Sequence, residues 1–348
     1  MNVARFRRVL FLVILWAASL GGSLAGDFED AAIMHIAYPE WFKESFLELP
    51  EDIEEAIAAG KRGVMVLFTT EGCSYCAEFI RTSLGEASLA ERVQAQFDAI
   101  GLEIFSDAEM VAPDGSQLRV KAFADRAGAG FAPTLLFYGE GGELLYRGVG
   151  YQDPERFASV LDYLGGHQQE GQSFRDFVIA RSAGLQSPSE GYRLAPDPLF
   201  SPPPYALDRS RMPADRPLLV IFETHGCEPC AGMHQEVLAL PEVRALLGRF
   251  DVVRLDAEGA DTPVLTPDGR RTTAAAWFAE TGLTGLPALL FFEEQGLEVL
   301  RTDALVLRQR MVNALMYTLE RAYDKDWTYQ RFARSKALER IEGEEAQE

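Results

Sequence analysis

All four cysteines of the chain fall in two C-x-x-C motifs, TEGCSYCAEF at 70 to 79 and THGCEPCAGM at 224 to 233. Cysteine kept nowhere else serves one purpose, and the spacing narrows the choice. A disulfide across so short a loop constrains an unfolded chain little, so bracing alone is a poor use of it. Four thiolates could ligate zinc, but zinc ribbons set their pairs about 15–20 residues apart. Here Cys73 and Cys227 are 154 apart, as are Cys76 and Cys230. Thiol–disulfide exchange fits better: one thiolate attacks a disulfide, and a second, three residues on, resolves the mixed disulfide.

The offset is a property of the chain and not only of the motifs. Shifted by 154, Phe68 falls on Phe222, Gly72 on Gly226, Pro133 on Pro287, Leu135-Leu136-Phe137 on Leu289-Leu290-Phe291, Gly142 on Gly296 and Arg147 on Arg301. SFRDF at 173 to 177 matches TYQRF at 328 to 332 with one further residue of shift. A single long offset means a duplicated domain and not a short-period solenoid. Between the copies, prolines 188, 196, 198, 202, 203, 204, 213 and 217 crowd one stretch. Proline lacks an amide donor and fixes φ, which excludes helix or central strand there and predicts an extended linker lying partly along the second copy. The boundaries expected are a first domain at 28–184, a linker at 185–213, a second domain at 214–340 and an acidic tail at 341–348.

The first 25 residues read as an export signal. Arg5, Arg7 and Arg8 precede an apolar run from Val9 to Leu20, and Ser23-Leu24-Ala25 has the small-x-small form of a cleavage site. Cleavage after Ala25 takes away three arginines and no acid, moving the net charge from −20 to −23. Such acidity argues against non-specific binding to nucleic acid, which requires a basic footprint, and no nucleic-acid partner is expected. Export points to a periplasmic setting, where disulfide chemistry is possible.

Each copy has the same order. Val64 to Thr70 and Leu218 to Glu223 are short apolar runs expected to be buried strands, and the C-x-x-C follows at once at the start of a helix, AEFIRTSL or AGMHQEVLAL. A cysteine there faces unpaired N–H groups and the positive end of the helix dipole, which favours thiolate. Cys73 and Cys227 are therefore the expected nucleophiles, and Cys76 and Cys230 the resolving thiols. Between the second pair, Glu228 opposes a Cys227 thiolate, whereas a protonated His225 would favour it. His234, seven residues after Cys227, reads as a surface or packing histidine.

Strand, C-x-x-C, helix and then an x-Pro strand about sixty residues later resembles the thioredoxin fold, an α/β architecture, here two domains in tandem, each a central mixed sheet flanked by helices. The first copy resembles exported thioredoxin-like reductases of the SoxW type in Gly72-Cys73, Pro133 to Phe137, Arg147 to Tyr151 and Ser173 to Phe177. The resemblance implies cis bonds at Ala132-Pro133 and Leu286-Pro287, whose preceding backbone would pair with a substrate chain. It implies redox-active disulfides with no further cofactor or metal, protein thiols and disulfides as partners, and a membrane electron donor such as a thiol transporter. Leu67 and Ile221 stand where classical thioredoxin has a buried aspartate. Thr302 and Ala304 replace Gly148 and Gly150, so the second copy's substrate-side loop is expected to be the less open. The function expected is a thiol–disulfide reductase. The alternatives are a client-binding or scaffolding module without turnover, or a disulfide oxidase or isomerase.

Overall fold

The computed structural model describes residues 28–166, 171–183 and 192–345, so the signal read at 1–25 and the start of the linker lie outside the described residues. The first domain runs α1 (Leu49–Ala58), β1 (Gly63–Thr69), α2 (Ser74–Thr82), α3 (Ala87–Gln96), β2 (Phe97–Glu103), β3 (Glu109–Val111), β4 (Gln117–Arg119), α4 (Val120–Arg126), β5 (Thr134–Tyr138), β6 (Leu144–Val149), α5 (Pro154–Gly165) and α6 (Phe174–Ala183). The second runs β7 (Tyr205–Ala206), β8 (Leu218–Glu223), α7 (Glu228–Met233), α8 (Pro241–Leu247), β9 (Asp251–Asp256), β10 (Pro263–Leu265), β11 (Arg271–Thr273), α9 (Ala274–Thr281), β12 (Ala288–Phe292), β13 (Glu298–Thr302), α10 (Arg308–Leu319) and α11 (Tyr329–Glu345).

Both main sheets are mixed and have the same topology, β2-β1-β5-β6 and β9-β8-β12-β13. In each, the first pair is parallel and the other two antiparallel. The central strands are buried along their whole length, as expected where helices cover both faces. Side chains alternate between those faces. Met65 and Leu67 enter one core cluster while Val64, Val66 and Phe68 enter another; Leu219 and Ile221 separate from Leu218, Val220 and Phe222 in the same way. Leu67 and Ile221 are thus fully buried core residues.

The described part of the linker, from residue 192, is extended and lies on the second domain. The Ser201 N–H donates to the Val252 carbonyl at 2.8 Å, Asp197 pairs with Arg244 at 3.2 Å, and β7 adds to β10 in parallel after a cis Pro203-Pro204 bond. Two details differ from the sequence reading. The helix expected across AGMHQEVLAL is broken: α7 gives way to a π turn over His234–Leu238. And α11 continues to Glu345, past Ile341, its glutamates being good helix formers that carry the turn across Gly343.

The domains meet through equivalent positions. Gly150 and Ala304, 154 apart, face each other so closely that a Cβ on Gly150 would lie 2.1 Å from that of Ala304, at a backbone φ of +87 that itself favours glycine. Arg156 on α5 and Arg310 on α10, also 154 apart, cross in opposite directions. Arg156 donates to Thr284 Oγ1 and Asp303 of the second domain, both at 3.2 Å, and Arg310 donates to the Ala132 carbonyl of the first at 2.9 Å. Phe131 of the first domain packs into the core of the second, its ring stacked on Tyr329 at 4.2 Å.

Candidate functional site

In each domain the central strand delivers the chain to a tight turn, and the first cysteine caps the helix that follows. Cys73 and Cys227 occupy the N-cap positions of α2 and α7, and the Cys76 and Cys230 N–H groups donate to their sulfurs at 3.1 Å and 3.2 Å. Both pairs are disulfide-bonded. Cys76 and Cys230 are fully buried, whereas Cys73 is half-buried and Cys227 is 9% exposed. The outer sulfur of each pair is therefore the one that an incoming thiolate reaches. An upstream segment holds each turn from outside: Gly72 N–H donates to the Met34 carbonyl at 3.1 Å, and Gly226 N–H to the Tyr192 carbonyl at 2.8 Å.

The x-Pro segments precede β5 and β12, and both Ala132-Pro133 and Leu286-Pro287 are cis. The Ala132 carbonyl oxygen lies 3.8 Å from Cys73 Sγ, so the loop borders the disulfide. The two loops differ sharply in exposure. Ala132 and Pro133 are buried, and Leu286 and Pro287 are half-buried. Gly148 and Gly150, on which the expectation from Thr302 and Ala304 turned, are buried as well. The Thr302 and Ala304 side chains are themselves buried, at 2% and 6% exposure, and Ala304 packs against Gly150 without closing the second loop. What covers the first loop is the other domain.

That cover is specific. Tyr75, between the two cysteines, is buried; its hydroxyl donates to Asp30 at 3.0 Å and accepts from the Leu307 N–H at 3.0 Å. Burial pushes its phenol well above the ordinary tyrosine range. The Arg310 guanidinium lies over the Tyr75 ring at 3.3 Å from its centroid, and the Arg310 N–H donates to Asp30 at 3.0 Å. Gln330 Nε2 adds a longer donation to the Ala132 carbonyl, at 3.4 Å. None of Asp30, Arg310, Tyr329 or Gln330 was singled out from the sequence.

The second motif has a different support. Glu223, at the end of β8, is fully buried, accepting from Tyr192 Oη and hydrogen-bonded to His234 Nε2 at 2.9 Å; Tyr192 and His234 are themselves 2.9 Å apart. His234 is thus a hydrogen-bonded partner of a buried acid, not a lone packing histidine. Burial and the facing carboxylate hold the Tyr192 phenol above its usual range. The corresponding contact in the first domain is neutral, Tyr38 Oη to Thr69 Oγ1, with Ile80 in the place of His234. Glu223→Ala leaves Tyr192 and His234 without their acceptor and should cost about 1–3 kcal/mol. In a double-mutant cycle with His234→Ile, urea unfolding should show the two losses to be strongly non-additive. Simple additivity would mean that the pair does not act as a unit.

Among the described residues no group of three or more His, Cys, Asp or Glu side chains could hold a metal, and no helix is long and apolar enough to cross a membrane. The thioredoxin-like domain family matches twice, at residues 49–165 and 207–319. No match is found among the curated proteins. Solved structures with the fold include a thioredoxin-fold protein from Helicobacter pylori, at 22% identity over 41% of this chain and 88% of its own, with a TM-score of 0.33. A thioredoxin from Thermus thermophilus matches at 23% identity over 35% of this chain and 86% of its own, with a TM-score of 0.28. The DsbD C-terminal domain from Neisseria meningitidis, in its reduced form, matches at 20% identity over 31% and 84%, with a TM-score of 0.24.

Proposed function

The chain belongs to the thioredoxin-like domain family in both halves, and from that premise we propose that it is an exported, periplasmic thiol–disulfide oxidoreductase that works as a reductase of protein disulfides. The observation that carries the reading is a disulfide capping a helix N-terminus in each domain, with its inner sulfur buried and a cis-proline loop in the matching place of each copy.

In the reducing direction Cys73 or Cys227 attacks a target disulfide as thiolate. One target sulfur leaves as thiolate, and a mixed disulfide forms. Cys76 or Cys230 then attacks the enzyme sulfur of that bond, releasing the second target thiolate and closing the enzyme disulfide. Two electrons pass to the target, and a dithiol donor must return them. A membrane thiol transporter is the donor that suits an exported enzyme, as in the SoxW-type reductases it resembles.

The direction of flow is tested by equilibrating each centre, in chains whose other motif is Cys→Ser, against glutathione. Poises near about −270 mV support a reductase, and poises near about −120 mV overturn it in favour of an oxidase. Export is tested separately by N-terminal sequencing of the protein from the periplasm, with a start at Gly26 expected. Retention of Met1 would count against a cleaved signal.

A further inference from the structure

We propose that the two centres divide their substrates: the second takes extended polypeptide, and the first, roofed by the second domain, reacts with low-molecular-weight thiols and disulfides. This deepens the thiol–disulfide reading above and rests on it.

The resemblance implies that an extended polypeptide docks beside such a disulfide by pairing its backbone with the residue before the cis-proline, in the manner of an added strand. That pairing needs a free carbonyl and an open flank. At the first centre both are taken. The Ala132 carbonyl already accepts from Arg310 Nη2 at 2.9 Å and Gln330 Nε2 at 3.4 Å. Its neighbour Phe131 is stacked under Tyr329 and is 1% exposed. These contacts are built and not incidental. Arg310 is 4% exposed, held over Tyr75, and its own N–H is fixed by Asp30. A polypeptide would have to displace a buried guanidinium from its shorter hydrogen bond, leaving it only the Leu305 carbonyl at 3.4 Å.

The second centre presents the opposite case. Leu286 and Pro287 are half-buried where Ala132 and Pro133 are buried, and the exposed His225 and Glu228 flank Cys227. Among the described residues no hydrogen bond reaches the Leu286 carbonyl, because Arg156, the equivalent of Arg310, is held instead by Asp303 and Thr284. The strand-pairing edge is left for a client.

The first disulfide is nevertheless reachable. A crevice of about 210 Å³ opens onto Cys73 between the domains, with Ile33, Asn313 and Arg334 on its walls. It falls below the roughly 300 Å³ at which drug-sized ligand pockets begin. It suits a small thiol, not a folded chain. A small thiolate attacks Cys73 Sγ, the Cys73–Cys76 bond breaks, and Cys76 leaves as thiolate. A second small thiolate attacks the small sulfur of the mixed disulfide, giving a small disulfide and the Cys73 thiolate. Two thiols are oxidised as one protein disulfide is reduced, and the reverse sequence reduces a small disulfide.

The test uses the full chain in two forms, Cys227→Ser/Cys230→Ser and Cys73→Ser/Cys76→Ser, each assayed on insulin and on bis(2-hydroxyethyl) disulfide with dithiothreitol as reductant. The form with only the first centre should show an insulin-to-small-disulfide rate ratio at least about ten-fold lower than the form with only the second, the equivalent of one blocked hydrogen-bonding edge. Adding Arg310→Met and Gln330→Ala to the first form should raise that ratio. Equal ratios in the two forms overturn the division of substrates. So does a first centre that reacts with neither disulfide while the second reacts with both. If neither centre reacts with either disulfide, the thiol–disulfide reading itself falls. The comparison of the two cysteine forms keeps the roof intact and decides the matter even if the Arg310 variant does not fold.

Discussion

Cys73→Ser should silence the first centre and Cys227→Ser the second, each by at least about 10³-fold with a small disulfide as common substrate. The reason lies in the caps. Each of these sulfurs accepts the N–H of the residue three further on and stands at the positive end of its helix, while its partner is fully buried behind it. Field and access therefore both select the outer thiol for attack. Cys76→Ser and Cys230→Ser should behave differently. Attack continues, resolution fails, and a mixed disulfide accumulates that mass spectrometry detects as a mass increment on Cys73 or Cys227. Equal and slow alkylation of all four reduced cysteines at neutral pH would overturn the division of roles, and would favour a binding module in which the cysteines do no chemistry.

Asp303→Ala should destabilise the chain by about 1–3 kcal/mol, the cost of leaving buried donors without their acceptor. Asp303 has a side chain 8% exposed and serves both domains at once. It accepts the Thr284 and Gly285 N–H groups at 2.9 Å and 2.7 Å and the Arg156 guanidinium at 3.2 Å. Removing it strands two amides beside the cis-proline loop and leaves the Arg156 guanidinium with Thr284 Oγ1 in place of a carboxylate. Asp303→Asn keeps an acceptor but no charge and should lose less. Urea unfolding followed by tryptophan fluorescence measures both. A loss below about 1 kcal/mol for Asp303→Ala would mean that solvent replaces the carboxylate, as at an exposed pair.

The fold was legible because both kinds of signal behind it are local. Apolar runs such as Val64 to Phe68 can only be buried strands when a helix-start motif follows them, and the 154 offset then fixes one copy by the other. The cysteines and the x-Pro pairs carried the centre of each site in the same way. The surroundings of the site were less legible. Tyr75 reads as a dipeptide residue, and nothing near it in sequence announces that Asp30, Arg310 and Tyr329 will enclose it, since those contacts span 45 to 280 residues. Gly148 and Gly150 suggest room, but Gly150 is small because another domain presses on it. One signal was present and unread. The register that aligns the cysteines also aligns Tyr38 with Tyr192 and Arg156 with Arg310, well outside the span from Phe68 to Arg147 over which the repeat is plain. Glu223 and His234 are the converse case, a pair visible only as departures from Thr69 and Ile80.

Gly150 against Ala304 has a consequence for how such a chain is held together. Like positions meeting like positions is the geometry of an isologous contact, the kind that closes a symmetric homodimer. Here the two protomers are covalently joined. The linker turns what would be a bimolecular association into an intramolecular one, with an effective concentration set by its reach and not by the abundance of the protein. Dilution cannot separate the halves, so neither must preserve self-complementarity, and each is free to specialise its side of the contact. Arg310 and Arg156 show how far that freedom extends: one residue in two copies, one sealing a carbonyl and the other held back by a carboxylate.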